Sequence, residues 1–142
     1  MNKSFVLAFA FAVFMLSACQ GNKAPKDQSN GSKDSGAKIE FNTLTYDLGT
    51  VDKDTVVNKI FIYHNTGTGK LTIEHATAHC GCTIVAFMKE PTAPGDSASL
   101  TIALNTEALK TGYFNKQVDI YSNGSEEPIT LSIRGELTRK PF

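Results

Sequence analysis

Apolar and polar residues alternate one by one along most of the sequence after residue 95. The alternation runs through residues 100–104, 114–120 and 129–137, with Lys116 as the one polar residue on the apolar side of its stretch. Successive side chains of a β-strand point to opposite faces, so this period predicts strands with one buried and one solvated face. Such strands are typical of antiparallel sheets. No stretch of the domain has a convincing helical period, so we expect an all-β domain.

Turn-forming residues separate the predicted strands. They are Asn65-Thr66-Gly67, Pro94-Gly95, Thr111-Gly112 and Asn123-Gly124. Residues 56–63 are rich in β-branched and aromatic side chains and predict a central strand, and residues 71–76 predict a further short one. About seven strands in one domain predict an immunoglobulin-like β-sandwich. The chain has no Trp and lacks the widely spaced Cys pair of antibody domains, so the likeness is one of architecture only.

The N-terminus has the three regions of a signal peptide. Lys3 precedes an apolar run at residues 5–16, which is too short for a membrane span of about 20 residues. The following Leu16-Ser17-Ala18-Cys19 resembles the bacterial lipobox at every position. We therefore expect residues 1–18 to be a cleaved lipoprotein signal peptide and Cys19 to be lipidated. An ordinary secretory signal, in which Cys19 is incidental, is the alternative.

Lipidation of Cys19 predicts a chain anchored to a membrane of the cell envelope through its N-terminal lipid. By resemblance to sorted lipoproteins, Gln20 in place of Asp favours the outer membrane, with the domain facing the periplasm or the cell surface. Residues 20–37 contain no aliphatic side chain larger than Ala and predict a disordered tether. The predicted organisation is a signal peptide at 1–18, a lipidated Cys and flexible linker at 19–37, and a folded domain at 38–142.

The predicted domain is close to electrically neutral. Residues 38–142 contain 10 Lys and Arg against 12 Asp and Glu, with no basic stripe. Such a charge balance argues against nucleic acid as a partner.

Cys80 and Cys82 are the residues whose presence a β core does not explain. Residues two apart in a strand have Cα atoms about 6.6–6.8 Å apart, and a disulfide prefers about 5.5–6 Å, so a bond requires the chain to tighten at Gly81. Four alternatives remain open. In the first, the pair is structural, as two buried thiols or a local disulfide; in the second, it is a labile disulfide or a reactive thiol pair. In the third, the two thiolates bind a soft ion such as Cu(I), with His75 or His79 as a further ligand. In the fourth, a cysteine forms a disulfide with a partner chain. A closed zinc site needs four ligands, and two of these are not evident.

Several motifs in order along the chain resemble the DUF1573 family. They are Phe41, Tyr46-Asp47-Leu48-Gly49-Thr50-Val51, Phe61, Asn65-Thr66-Gly67, Leu71-Thr72-Ile73, Cys80-Gly81-Cys82-Thr83, Pro94-Gly95, Gly112-Tyr113-Phe114-Asn115-Lys116, Ser122-Asn123 and Ile133-Arg134-Gly135. The resemblance covers residues 40–137 and implies an immunoglobulin-like domain similar to the ASPM–SPD-2–Hydin type. It implies no activity, because the function of the family is unknown. Leu48 stands where Phe is usual, and His79 where a small polar residue is common.

These observations predict a binding or accessory module rather than an enzyme. No nucleophile elbow, phosphate-binding loop or histidine–glutamate zinc motif occurs in the sequence. We expect the module to present loops or a sheet edge to an envelope protein or glycan, without a cofactor. One alternative is a thiol-redox or metal-handling protein that uses Cys80, Cys82 and His79, with copper or zinc bound. Another is a structural envelope component that self-associates through its strands.

Overall fold

The computed structural model describes residues 36–139. The expected signal peptide, the expected lipidation site Cys19 and nearly all of the expected tether lie outside the described residues. Gly36 and Ala37, at the end of that tether, are described. The carbonyl of Gly36 accepts hydrogen bonds from the backbone N–H groups of Thr68 at 2.7 Å and Gly69 at 3.1 Å. The start of the described chain is thus hydrogen-bonded to the loop that contains Thr68 and Gly69.

The described chain consists of eight β-strands. They are β1 (Ile39–Phe41), β2 (Thr45–Asp52), β3 (Val56–Asn65), β4 (Ile73–Ala78), β5 (Thr83–Phe87), β6 (Ser97–Asn105), β7 (Gly112–Ser122) and β8 (Ile129–Thr138). The predicted short strand at residues 71–76 begins later, because Leu71 forms an isolated bridge with Thr92 instead. Within residues 36–139 there is no helix long and apolar enough to span a membrane.

The strands form two four-stranded sheets. Sheet I has the order β1-β3-β6-β5, and sheet II has the order β2-β8-β7-β4. Five of the neighbouring pairs are antiparallel, as the alternation predicts, but β2 runs parallel to β8. Neighbouring strands joined by a short hairpin must be antiparallel, whereas β2 and β8 come from opposite ends of the domain and are free of that constraint.

The inward-facing side chains of both sheets form one hydrophobic core. Phe61 of β3, Leu104 of β6 and Leu131 of β8 are fully buried, at 0 % exposure. The Phe61 ring packs edge-on against Tyr46 of β2, with ring centroids 4.8 Å apart, and so joins the two sheets. Burial of a large apolar side chain contributes about 1.5–3 kcal/mol, so these alternating positions hold the sandwich together.

A buried asparagine connects the loops at one end of the sandwich. Asn65, the last residue of β3, is 0 % exposed. Its Nδ2 donates to the carbonyls of Gly69 at 2.7 Å and Thr92 at 3.0 Å. Its Oδ1 accepts from the backbone N–H groups of Gly67 at 3.1 Å and Lys38 at 3.4 Å. One side chain therefore satisfies backbone groups from three separate segments of the chain.

A β-bulge lets β2 approach β8 closely. The pairing register shifts between Asp47 and Thr50, and Gly49 has a φ of +61°. Asp47 Oδ1 accepts the Gly49 N–H at 3.0 Å, and Asp47 Oδ2 accepts Arg134 Nε–H at 3.1 Å. The Gly49 hydrogen bond and then the Arg134 contact hold the pKa of Asp47 below its ordinary value. Opposite the bulge, Gly135 leaves room for the Gly49 carbonyl.

Gly135→Ala is expected to lower the free energy of unfolding by about 1–3 kcal/mol, the usual cost of overpacking. A methyl group at this position would lie 2.8 Å from the Gly49 carbonyl oxygen and 3.1 Å from the Phe114 ring. Chemical denaturation measures the change. Gly81→Ala is the matched control, because a methyl group there meets no atom within 4 Å. Equal stability losses in both variants would contradict this account of Gly135.

Candidate functional site

The Cys-Gly-Cys segment is the turn by which the chain crosses from sheet II to sheet I. It connects β4 to β5, and the Thr83 N–H donates to the Cys80 carbonyl at 3.4 Å. Cys80 and Cys82 form a disulfide with an S–S distance of 2.07 Å and a Cα–Cα distance of 5.3 Å. The Cα separation is shorter than that of residues two apart in an extended strand, so the turn supplies the tightening that the bond requires.

Gly81 lies between the two cysteines, and the chain turns there as the bond requires. Its φ lies outside the left-handed region, and a methyl group added there would meet no atom within 4 Å. The turn therefore does not require a left-handed backbone conformation at this position. Gly81 is exposed. The space where a side chain would begin is therefore solvent.

The disulfide adds less to the stability of the chain than a long-range disulfide would. It joins residues separated by only two positions. In the chain-entropy model, closing a loop of three residues contributes about 1.6 kcal/mol, compared with about 3 kcal/mol for a loop of 15 residues. The turn also has backbone anchors of its own, because His79 N–H donates to the Gln117 carbonyl at 3.2 Å and Asn105 N–H to the Cys82 carbonyl at 2.9 Å.

The Thr83 hydroxyl lies beside both sulfur atoms. Its Oγ1 is 3.2 Å from Cys80 Sγ and 3.9 Å from Cys82 Sγ, and Thr83 is only 8 % exposed. Among the described residues, Cys82 is one of the partly buried side chains that pack against the hydrophobic core, and Cys80 is not. The two sulfurs therefore have different surroundings. Strand alternation could not reveal this contact, because it depends on the path of the turn.

His79 faces sheet II rather than the disulfide. Its Nε2 lies 2.7 Å from Asp119 Oδ2 on β7, and Asp119 Oδ1 accepts the Thr130 hydroxyl at 2.7 Å. The Thr130 hydrogen bond and then the His79 hydrogen bond lower the pKa of Asp119 from its ordinary value. The sequence does not single out Asp119, because it lies 40 residues along the chain from His79.

The candidate metal ligands are not brought together. Cys80 and Cys82 are bonded to each other, His79 is paired with Asp119, and the His75 ring stacks on Tyr121 with centroids 4.1 Å apart. Across residues 36–139 there is no group of three or more His, Cys, Asp or Glu side chains that could hold a metal ion.

Strand β5 begins directly after this turn and forms one edge of sheet I. Cys82 is hydrogen-bonded to Asn105 of β6, and hydrogen-bonded and non-hydrogen-bonded positions alternate along an antiparallel pair. The backbone groups of Val85 and Phe87 therefore point away from β6, towards the open edge. The Thr83 N–H also points away from β6, and it donates a hydrogen bond to the Cys80 carbonyl. In the described part of the chain, no strand pairs with this side of β5.

Several apolar side chains are exposed on the outer face of sheet I, together with the polar Thr101 and Ser99 of β6. Ile84 is 71 % exposed, and Ile60 and Ile62 of β3 are 56 % and 43 % exposed. In the register of the sheet, Ala86 and Ile60 lie on either side of Thr101 of β6. We call this surface, formed by Ile60, Ile62, Ile84 and Ala86, the apolar outer face.

This topology is that of an immunoglobulin-like β-sandwich, which confirms the predicted fold class. PapD-like domain 7 of human CEP192, an ASH/PapD-like domain, has 9 % sequence identity and a TM-score of 0.59, covering 78 % of this chain and 92 % of that domain. The family model of DUF1573, a protein family of unknown function, matches residues 39–137. The chain belongs to the DUF1573 family.

Two further solved structures have the same fold. A protein of unknown function from Porphyromonas gingivalis W83 has 17 % identity and a TM-score of 0.65, covering 75 % of this chain. The chain spans about half of that protein, 49 % of its length. The VesB protease of Vibrio cholerae has 18 % identity and a TM-score of 0.54, covering 70 % of this chain and 32 % of the protease. At these identities the likeness shows the fold alone. No curated protein matches this chain significantly.

Proposed function

We propose that this chain is a lipid-anchored accessory module of the cell envelope that binds an extended segment of a partner protein along β5. The lipobox-like Leu16–Cys19 supports the envelope location. The partner strand would add to sheet I, with its backbone hydrogen-bonded to β5 and its outward side chains beside Ile84 and Ala86.

The observation that carries the proposal is a comparison of the four edge strands within residues 36–139. Exposed edges are normally protected by short length, charged side chains or bulges. β1 has only three residues and contains Glu40, β2 is bulged and contains Asp47 and Asp52, and β4 is bulged and contains Glu74. β5 is five residues of TIVAF, with no charge and no register shift. Three edges are protected against pairing, and β5 is not.

The chemistry of this edge favours a protein partner over a glycan. The backbone groups of Val85 and Phe87 repeat along the edge at the spacing of another polypeptide in β conformation, and a glycan has no matching repeat of donors and acceptors. The segment from Cys80 to Met88 has no charged side chain, so the complementary partner segment is uncharged and apolar on alternate positions.

Photo-crosslinking in the cells that make the protein tests the proposal. A photoreactive amino acid replaces Ile84, and the matched control carries it at Thr50, on the β2 edge. We expect position 84 to crosslink to one segment of another envelope protein, with no such product from position 50. A synthetic peptide of that segment should then protect the Val85 and Phe87 amides of the full-length chain from hydrogen exchange.

Charged variants provide the affinity measurement. Ile84→Lys combined with Ala86→Lys should weaken binding of that peptide at least tenfold, because lysines then occupy the face that receives it. Thr50→Lys should leave the affinity unchanged. Crosslinking of position 84 only to a second copy of the chain or to a glycan would overturn the proposal, as would a peptide that binds without protecting the two amides.

A further inference from the structure

The Cys80–Cys82 disulfide has the features of an exchangeable bond rather than a structural one. It spans only two positions, in a turn that backbone hydrogen bonds already hold. Gly81, between the two cysteines, is exposed. A disulfide that closes a long loop constrains the unfolded chain more than this one does. The reactivity of the bond is therefore the property that these features favour. The two sulfur atoms also have different surroundings.

The nearly buried Thr83 hydroxyl favours the reduced form of the pair. The sulfur atoms are its hydrogen-bonding neighbours, at 3.2 and 3.9 Å, and disulfide sulfur is a weak acceptor. A thiolate at Cys80 would accept a charge-assisted hydrogen bond from the same hydroxyl, which is a much stronger interaction. A disulfide whose reduced form is stabilised is a stronger oxidant.

We propose that the Cys80–Cys82 pair is a thiol–disulfide exchange site that oxidises a dithiol of another protein, with Cys80 as the sulfur that bonds to it. Cys80 is nearer to the Thr83 hydroxyl and outside the packed core, whereas Cys82 packs against that core. The attack is therefore assigned to Cys80, and Cys82 is the sulfur that leaves. This site does not depend on what binds at β5.

The exchange has two balanced steps. A partner thiolate attacks Cys80 Sγ, the Cys80–Cys82 bond breaks, and its electron pair stays on Cys82 Sγ, which takes up a proton from water. A second partner thiolate then attacks the partner sulfur of the mixed disulfide, and Cys80 leaves as a thiolate beside the Thr83 hydroxyl. The partner dithiol loses two electrons and becomes a disulfide, and Cys80 and Cys82 gain both.

Single-cysteine variants of the full-length chain test the assignment. Cys82→Ala leaves Cys80 free, Cys80→Ala leaves Cys82 free, and the double variant measures any background from Cys19. With a synthetic disulfide reagent that releases a coloured thiol, we expect Cys80 to react at least tenfold faster than Cys82. With a synthetic peptide containing an oxidised cysteine pair, only Cys82→Ala should accumulate the mixed disulfide. Equal reaction rates would overturn the assignment of Cys80.

Redox equilibration tests the role of Thr83 and does not require the alanine variants to fold. In mixtures of reduced and oxidised glutathione, Thr83→Val should shift the equilibrium constant severalfold towards the disulfide and leave the unfolding midpoint of the oxidised protein unchanged. The wild-type chain, mixed with a reduced two-cysteine peptide, should oxidise one equivalent of it. A disulfide that excess glutathione does not reduce, or an unchanged constant in Thr83→Val, would overturn the proposal.

Discussion

Asn65→Leu is expected to lower the free energy of unfolding by about 3–5 kcal/mol. Leucine has a similar volume but neither donates to the carbonyls of Gly69 and Thr92 nor accepts from the N–H groups of Gly67 and Lys38. Each buried polar group left without a partner costs about 1–3 kcal/mol, and the Thr92 carbonyl bond is fully buried. Urea denaturation followed by circular dichroism measures the loss, which is large compared with a total stability of about 5–15 kcal/mol.

The matched control is Asn58→Leu on the same strand. Asn58 is exposed on the outer face of sheet I, so its replacement should change the free energy of unfolding by less than about 0.5 kcal/mol. A loss below about 1.5 kcal/mol for Asn65→Leu would mean that water takes over the four hydrogen bonds. Asn65 would then not be the residue that joins the loops.

Phe61→Ala is also expected to lower the free energy of unfolding by about 3–5 kcal/mol. The ring is fully buried and packs against Tyr46 of the other sheet, so its removal leaves a cavity between the two layers. Thermal unfolding of the purified chain measures the change as a fall of the midpoint by more than about 10 °C.

The neighbouring residue supplies the comparison for Phe61. Ile60 is 56 % exposed on the apolar outer face, and Ile60→Ala should cost less than about 1 kcal/mol. Similar losses at the two positions would show that the outer face is covered in solution. The core would then not lie on the side that the alternation of residues indicates.

The alternation predicts which side of each strand is buried, because a side-chain period of two follows from strand geometry alone. It identifies Phe61 as inward and Ile60 as outward. It cannot predict that β2 pairs with β8 in parallel, since that choice depends on contacts between the two ends of the domain. Asn65 is part of a turn motif in the sequence, but its four hydrogen bonds depend on where three distant segments meet.

The candidate site is predictable to the extent that its chemistry is local. The spacing of Cys80 and Cys82 is enough to single out the pair and to require a tightened turn. Thr83 is the next residue, yet the position of its hydroxyl beside the two sulfurs depends on how the chain leaves β4. Asp119 beside His79 and the open edge of β5 depend on the order of strands, which no local pattern specifies. The match to DUF1573 supports the fold and leaves the activity open.

The order of strands in sheet I also defines a mechanical path. The N-terminal segment joins the domain at β1, at one edge of the sheet, and β5 is the opposite edge. A pulling force between that segment and a strand held at β5 would load the ladders of sheet I from one edge to the other. The shortest ladder on this path is that of β1, with three paired residues. Under tension, β1 is therefore where the domain should yield first, with the Asn65 hydrogen bonds as its reinforcement.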